Sequence, residues 1–264
     1  MSISNYDWQR KRILITGKTY PQISQKYTET VCTGGLTDSG EWIRLYPIQF
    51  RYLDSIKQFK KYQWIEVDVR SITRDTRPES FYPNIDTLEL GESLGTNNNW
   101  DLRRRLILPH ADASLEDLQQ RNKQDGVSMG LVRVKQLNGI SMTPRAKDIT
   151  PRQLELFRKI KDLEPPPYDF KFNFLCDGSE CPGHNMTMLD WEIGELCRKA
   201  SLKYSTAKDV ETFVKTNYKD KLFDGTREVY FFLGTHNVHR SSFMIGGAFY
   251  YKNADYYPDT IPMF

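Results

Sequence analysis

The sequence predicts an α+β fold: an N-terminal small β-barrel of OB, SH3-like or PUA-like type with helical insertions, followed by a C-terminal α+β region. Two observations carry this prediction. The first half is dominated by short β-rich runs with Gly at the bends, whereas the second half interleaves strand patterns with helix patterns. The chain divides into a barrel-like domain over 1–150 and an α+β domain with a Cys/Cys/His loop over 151–264. The sharpest internal break is "PPP" at 165–167.

Taken in order, "RILITGKTY" (12–20) reads as a strand with a small-residue break. "ETVCTGGLTDSGEWIRLYPI" (29–48) reads as a hairpin turning at "TDSG". "YQWIEVDVRSI" (62–72) alternates, with Ile65, Val67 and Val69 on one face and Trp64, Glu66, Asp68 and Arg70 on the other. Alternation alone accounts for the acidic pair as a wet face. Residues 73–127 are polar and punctuated, with helices expected over 100–108 and over 114–122, the latter capped by Ser114 with Asp117 three residues on. "SMGLVRVKQLNGISM" (128–142) is expected to be the last strand of the first half.

In the second half a helix is expected over 150–164, with Thr150 as N-cap, Pro151 in its first turn and Leu154, Phe157 and Ile160 on one face. "YDFKFNFLC" (168–176) alternates as a strand, placing Tyr168, Phe170, Phe172 and Phe174 on one side. Helices follow over 187–201 and 206–217, then strands over 228–235 and 243–251. The glycine pair in "IGGAF" marks close backbone approach within the last strand. The tail over 256–264 reads as an extended arm.

Aromatic residues make up 13% of the chain, enough apolar mass for a sizeable core. The formal net charge is only +3, so the total does not announce a nucleic-acid binder. Its distribution says more: residues 1–150 hold 22 Lys+Arg against 18 Asp+Glu (+4), and the remainder 15 against 16 (−1). The opening residues lack a long apolar run and no window suits a membrane span, so a soluble cytoplasmic protein with reduced thiols is expected.

Chemistry concentrates in "CDGSECPGHNMTMLDWE" (176–192). Cys176, Cys181 and His184 have the spacing C-x4-C-x2-H, with turn-forming residues that let a loop wrap an ion. Thiolate and imidazole suit zinc, which also requires a fourth ligand. Cys197 lies about 15 Å up the following helix and belongs to its apolar stripe. His236, His239, Cys32 or a water are the remaining choices, with "THNVH" favoured. Asp190 and Glu192 are explained by the first turns of a helix, capped at Thr187. They also offer metal-ligand or base chemistry beside His236 and His239, and Arg240 could pair a phosphate. No phosphate loop, G-x-S-x-G or H-E-x-x-H motif is present.

Basic residues interleave with aromatics at Lys60, Lys61, Tyr62 and Trp64, and further cations stand at Arg74, Arg77, Arg103, Arg104 and Arg105. Such a face suits phosphate contact with base stacking.

The segments "GEWIRLYPI", "KYQWIEVDV", "RPES", "CPGH…LDWE" and "FFLGTHNVHRSSFMIGG" resemble those of a set of uncharacterised prokaryotic proteins. The hairpin ending in "GEWIRLYPI" is also loosely similar to OB-like and PUA-like readers of nucleic acid. The resemblance spans nearly the whole chain and implies no activity. Three expectations follow: a nucleic-acid-binding protein with a zinc loop, a metal-dependent nuclease or phosphodiesterase, or an adaptor that binds a protein partner.

Overall fold

The computed structural model describes residues 7–24, 26–72, 74–144 and 168–253. The helix expected over 150–164, the "PPP" break and the 256–264 arm lie outside the described residues.

Two closed rings of strands are present. The first consists of β1 (Gln9–Lys18), β3 (Thr28–Thr37), β4 (Trp42–Ile48), β5 (Gln63–Ser71) and β6 (Ser80–Ser93), with the short β2 (Gln22–Ser24) added on β3. The second consists of β7 (Met129–Pro144), β8 (Tyr168–Cys176), β9 (His184–Met188), β10 (Arg227–Thr235) and β11 (Phe243–Lys252). Between the rings run helices α1 (Asn97–Ile107) and α2 (Leu115–Asp125), and between β9 and β10 run α3 (Trp191–Lys203) and α4 (Ala207–Leu222). Both rings have one connection order. The first strand pairs antiparallel with the second and the fourth, and the third pairs parallel with the fifth.

Strand patterning is realised as packing. Ile65, Val67 and Val69 are fully buried inside the first ring. Phe172 and Phe174 meet Phe231 edge-on at 5.7 and 5.1 Å inside the second. Burying each such side chain contributes about 1.5–3 kcal/mol.

Several expectations are corrected. The strand expected to end the first half is β7, which pairs with β10 and β8, so the rings divide between residues 93 and 129 and not at 150. β6 falls within the stretch expected to hold only loops and helices. Its Pro83, paired opposite Val69, and its many polar residues hide the alternation. The helix expected from Thr187 begins at Trp191 with Asp190 as its N-cap, because Thr187 is spent on β9, where it pairs with Lys171. α1 opens on a left-handed turn, with φ of 50°, 53° and 60° at Asn98, Asn99 and Trp100. Asn99 holds that turn by exchanging two hydrogen bonds with the Lys252 backbone, at 2.7 and 2.8 Å.

β1 is buried on both faces because the rings pack against each other. Ile13 and Ile15 point into the first ring. Leu14 turns outward into a third cluster with Tyr62, Trp64, Leu131, Phe232 and Phe249, which spans the two rings. At the nearest approach glycine meets glycine: a Cβ on Gly17 would stand 2.9 Å from the carbonyl oxygen of Gly246 and 4.0 Å from the Cα of Gly247. The glycine pair therefore does mark close backbone approach. Nearby, Tyr20 donates its amide to Leu189 O at 2.8 Å and lays its ring on Gly194 of α3, where no Cβ would fit. Among the described residues no helix is long and apolar enough to cross a membrane.

This packing yields a stability test. Gly17→Val forces a side chain against backbone that cannot rotate away, so urea unfolding is expected to show a loss of about 1–3 kcal/mol. Gly139→Ala, with nothing within 4 Å of its Cβ position, is the matched control and should leave the midpoint near that of the wild type. Equal midpoints for the two variants would contradict the tight contact.

Candidate metal centre and inter-barrel cleft

Four side chains from three elements converge at one end of the second ring. Cys176 ends β8, Cys181 sits on the turn that follows, His184 begins β9 and Glu116 stands in the first turn of α2. Their ligand atoms all lie within 4.8 Å of one another. Cys176 Sγ is 3.5 Å from Cys181 Sγ and 3.4 Å from His184 Nε2, and Cys181 Sγ is 3.2 Å from the same nitrogen. At zinc–ligand lengths of about 2.0–2.3 Å the edges of a tetrahedron are about 3.3–3.8 Å, so the set is close to ligand spacing before any ion is placed.

Glu116 completes the set. Its Oε1 is buried, without a hydrogen-bond partner, although it stands 3.1 Å from His184 Nε2. An imidazole nitrogen and a carboxylate oxygen at this separation are spaced as two ligands of one ion would be. Oε2 accepts from the Cys176 thiol at 3.2 Å. The local sequence builds this arrangement. Ser114 caps α2 by accepting from the Asp117 amide at 3.1 Å, as its spacing predicts, and this sets Glu116 against the loop. Gly178 lets the loop pass, since a Cβ there would lie 3.2 Å from Glu116 Oε2. The Cys176 amide donates to Cys181 Sγ at 3.3 Å, which holds the Cys181 side chain toward the cluster. Burial pushes the Cys176 thiol up to about 11 and holds the His184 imidazole below its ordinary value, hence neutral. Burial also works against the Glu116 carboxylate, but hydrogen bonds from its own amide, Cys176 and Ser114 prevail and hold it below its usual range.

The fourth-ligand expectation is therefore corrected. His236 and His239 are exposed, with ring centroids 5.7 Å apart, and join no metal-ligand cluster among the described residues. Cys32 lies on the cleft described below. Glu116 escaped the sequence reading because it stands 60 positions before Cys176 and its place in a capped first turn was explanation enough. Cys197 is buried in the core, as its stripe predicts.

Asp190 and Glu192 sit where the rings meet. Lys61, from the first ring, donates to Ala248 O at 2.9 Å and to Glu192 Oε2 at 3.3 Å. Asp190 is buried, accepts from the Glu192 amide at 3.3 Å and from Tyr218 Oη at 3.4 Å, and caps α3. Burial raises its carboxyl to about 6 against the opposing charge of Lys61. The expected basic-aromatic face is largely spent here. Tyr62 and Trp64 are buried in the cluster between rings, Arg103 stacks 4.1 Å over Tyr62 and donates to Leu94 O, Arg104 lies over Tyr251, and Arg105 pairs with Asp101. Lys60 and Arg74 are exposed.

A cleft of about 720 Å³ opens between the rings. Its floor is the outer face of β3 and β4, carrying Thr30, Cys32, Trp42, Arg44 and Tyr46. One wall is the β5–β6 loop with Arg74, Asp75 and Arg77, and the other is the end of β10 and the loop after it, with Thr235 and His236. Arg77 grips Asp75 through two bonds at 2.9 and 2.6 Å and also donates to Thr235 O. Burial works against the Asp75 carboxylate, but Arg77 holds it below its usual range. Arg44 is 3% exposed and donates to Ser80 Oγ at 3.0 Å, Ser128 Oγ at 2.9 Å and Ser128 O at 3.0 Å, while the Ser128 hydroxyl in turn donates to Glu79 Oε2 at 2.6 Å. The sequence did hold a signal for this floor. In "GEWIRLYPI" Trp42, Arg44 and Tyr46 alternate with the buried Ile43 and Leu45.

Such a chain is a two-barrel protein with a metal-ligand cluster and an inter-barrel cleft. Residues 110–262 match the family described as "Domain of unknown function (DUF8757)", and the chain belongs to that family. Residues 9–109 match a second, "Domain of unknown function (DUF8758)". No curated protein matches the sequence at a significant level. Among solved structures, one titled "Crystal structure of p204 HINb domain" is 9% identical, with 95% of this chain and 100% of that chain covered. The TM-score between the two is 0.34.

Elemental analysis of protein purified without chelator is expected to find one metal ion per chain. Glu116→Ala and Cys181→Ser should each weaken its retention at least tenfold in competition with a chromophoric chelator. A metal-free wild type, or retention unaffected by Glu116→Ala, would contradict the four-ligand set.

The raised carboxyl of Asp190 sets a second test. Its folded form holds the proton more tightly than the unfolded chain, so its stabilising contribution is complete below about pH 4 and lost as pH rises through about 6. Asp190→Asn should therefore remove a fall in stability, relative to wild type, between pH 4 and 7. Parallel stability profiles would contradict the assignment.

Proposed function

We propose that the protein binds single-stranded nucleic acid in the inter-barrel cleft, with a zinc ion at Glu116, Cys176, Cys181 and His184 acting as a structural staple. The observation that carries the reading is the position of the cleft. The shared connection order of the rings is that of an OB barrel, whose ligand face lies on its second and third strands, between the loops after the first and fourth. In the first ring these are β3 and β4, flanked by the β1–β3 connection, which carries β2 with Gln22, and by the loop that carries Arg74. Trp42 and Tyr46 supply stacking surface there, and Arg44, Arg74 and Arg77 supply positive charge.

Zinc is favoured because two thiolates, an imidazole and a carboxylate match its ligand preferences. Four protein ligands leave no open position for substrate, which weighs against the nuclease reading. His236, His239, Asp190 and Glu192 also take no part in the metal cluster. Four free cysteines, with Cys176 and Cys181 within thiol contact but unbridged, suit a reducing compartment such as the cytoplasm.

Fluorescence anisotropy with labelled single-stranded DNA and RNA tests the reading. Affinity is expected to weaken steeply from 50 to 200 mM salt. Trp42→Ala should cost about 1–3 kcal/mol of binding. Absence of binding to either strand at low salt, or salt-independent binding, would overturn it and leave a protein partner as the occupant.

A further inference from the structure

We propose that the cleft holds one inserted nucleotide, its base inside the cavity and a neighbouring phosphate in a basic notch beside it. This rests on the nucleic-acid reading above and narrows it from a strand track to a single-nucleotide pocket.

Shape is the first argument. At about 720 Å³ the cleft lies in the range of small-ligand pockets, about 300–1,000 Å³. One side is closed by the loop after β10, which is tied down where Asn122 Nδ2 donates to Arg240 O at 3.1 Å and where Arg240 donates to Thr76. The aromatics that could have extended a stacking track, Tyr62 and Trp64, are buried between the rings, which leaves Trp42 and Tyr46 on the floor.

Unfilled polar capacity is the second argument. Thr235 lines the cavity at 4% exposure, and its Oγ1 is buried without a partner. Bonds to Ser80 and Ser128 use three of the five N–H donors that the Arg44 guanidinium carries, and the Cys32 side chain on the same floor is a further partner, which leaves the guanidinium short of full use. A base edge offers carbonyl and ring-nitrogen acceptors for such donors, and an arginine is the commonest reader of one.

Charge is the third argument. A notch of about 420 Å³ shares Arg77 with the cleft, and its lining includes Lys123, Arg240, Thr76, Asn122 and Ser241. The linings of both cavities carry Arg44, Arg74, Arg77, Lys123 and Arg240 against one lining carboxylate, Asp75, already paired with Arg77, with Glu79 behind Arg44 across Ser128. A base alone would not need that surplus, whereas a nucleotide with its phosphate would.

The test uses the whole protein with oligonucleotides of about 12 nucleotides, matched to the usual span of such barrels. Each carries 2-aminopurine at the 5′ end, the 3′ end or the centre. Mononucleotides are titrated in parallel. The pocket is filled in two ways: Cys32→Trp from the floor, and Gly246→Val, whose Cβ position has only Phe232 O near it, at 3.8 Å. The wild type is expected to change 2-aminopurine emission at one position only, which also tells an end from an extruded internal base. Both filled variants should lose that signal and at least tenfold in affinity. Lys123→Ala and Arg240→Ala should each reduce the salt slope by about one. Wild-type affinity and signal in a folded Gly246→Val protein would overturn the pocket while oligonucleotide binding upholds the broader reading. Failure of the wild type to bind oligonucleotides and mononucleotides alike would remove both.

Discussion

Everything in this molecule depends on how closely two strands approach. Gly17 on β1 lies so close to the backbone of Gly246 and Gly247 on β11 that a side chain at Gly17 would hold the two rings apart. From that contact follow the burial of Leu14, Tyr62 and Phe249 in a shared cluster, and the docking of Tyr20 on Gly194. The same spacing places the loop after β10 across the face of β3 and β4. A face that would otherwise be open thereby becomes a cleft with two walls. Close-packed interiors transmit such constraints because they do not deform smoothly.

The metal-ligand cluster is the second constraint, and it reaches the cleft through α2. Glu116 binds the first turn of α2 to the β8–β9 turn. Further along the helix, Arg121 pairs with Asp112, which precedes α2 and accepts from the Leu131 amide at 2.9 Å, holding α2 across β7. At the far end Asn122 fastens the loop that walls the cleft. An ion held at this cluster would fix one end of α2 and so brace a loop carried by its other end. Under the proposed function, a metal distant from the cleft would thereby have a structural reason to affect binding.

How much of this was legible in the sequence depended on whether the determining contact was local. Alternation in 62–72 and 168–176 placed β5 and β8 correctly, since side-chain period alone selects their faces. Cys176, Cys181 and His184 were legible because a turn must bring them together. Glu116 was not, because only the packing of α2 on Gly130 and Gly178 carries it to the loop. The basic-aromatic run at 60–64 illustrates the converse. Lys61, Tyr62 and Trp64 have a composition that suits a strand of nucleic acid, yet the second ring covers them. The residues that line the cleft instead, Trp42, Arg44 and Tyr46, form an equally regular pattern. It becomes meaningful only once the partner ring shows which outer face remains open.

Zero-length ultraviolet crosslinking of a single-stranded oligonucleotide, followed by peptide mapping, asks most directly whether the face between the rings is the binding site. The expected result is crosslinks to both walls and the floor together, in the peptides that carry Cys32, Trp42 and Tyr46 and in the one that carries Thr235 and His236. Crosslinks confined to surfaces away from the cleft, such as the exposed Arg105 side of α1, would contradict it.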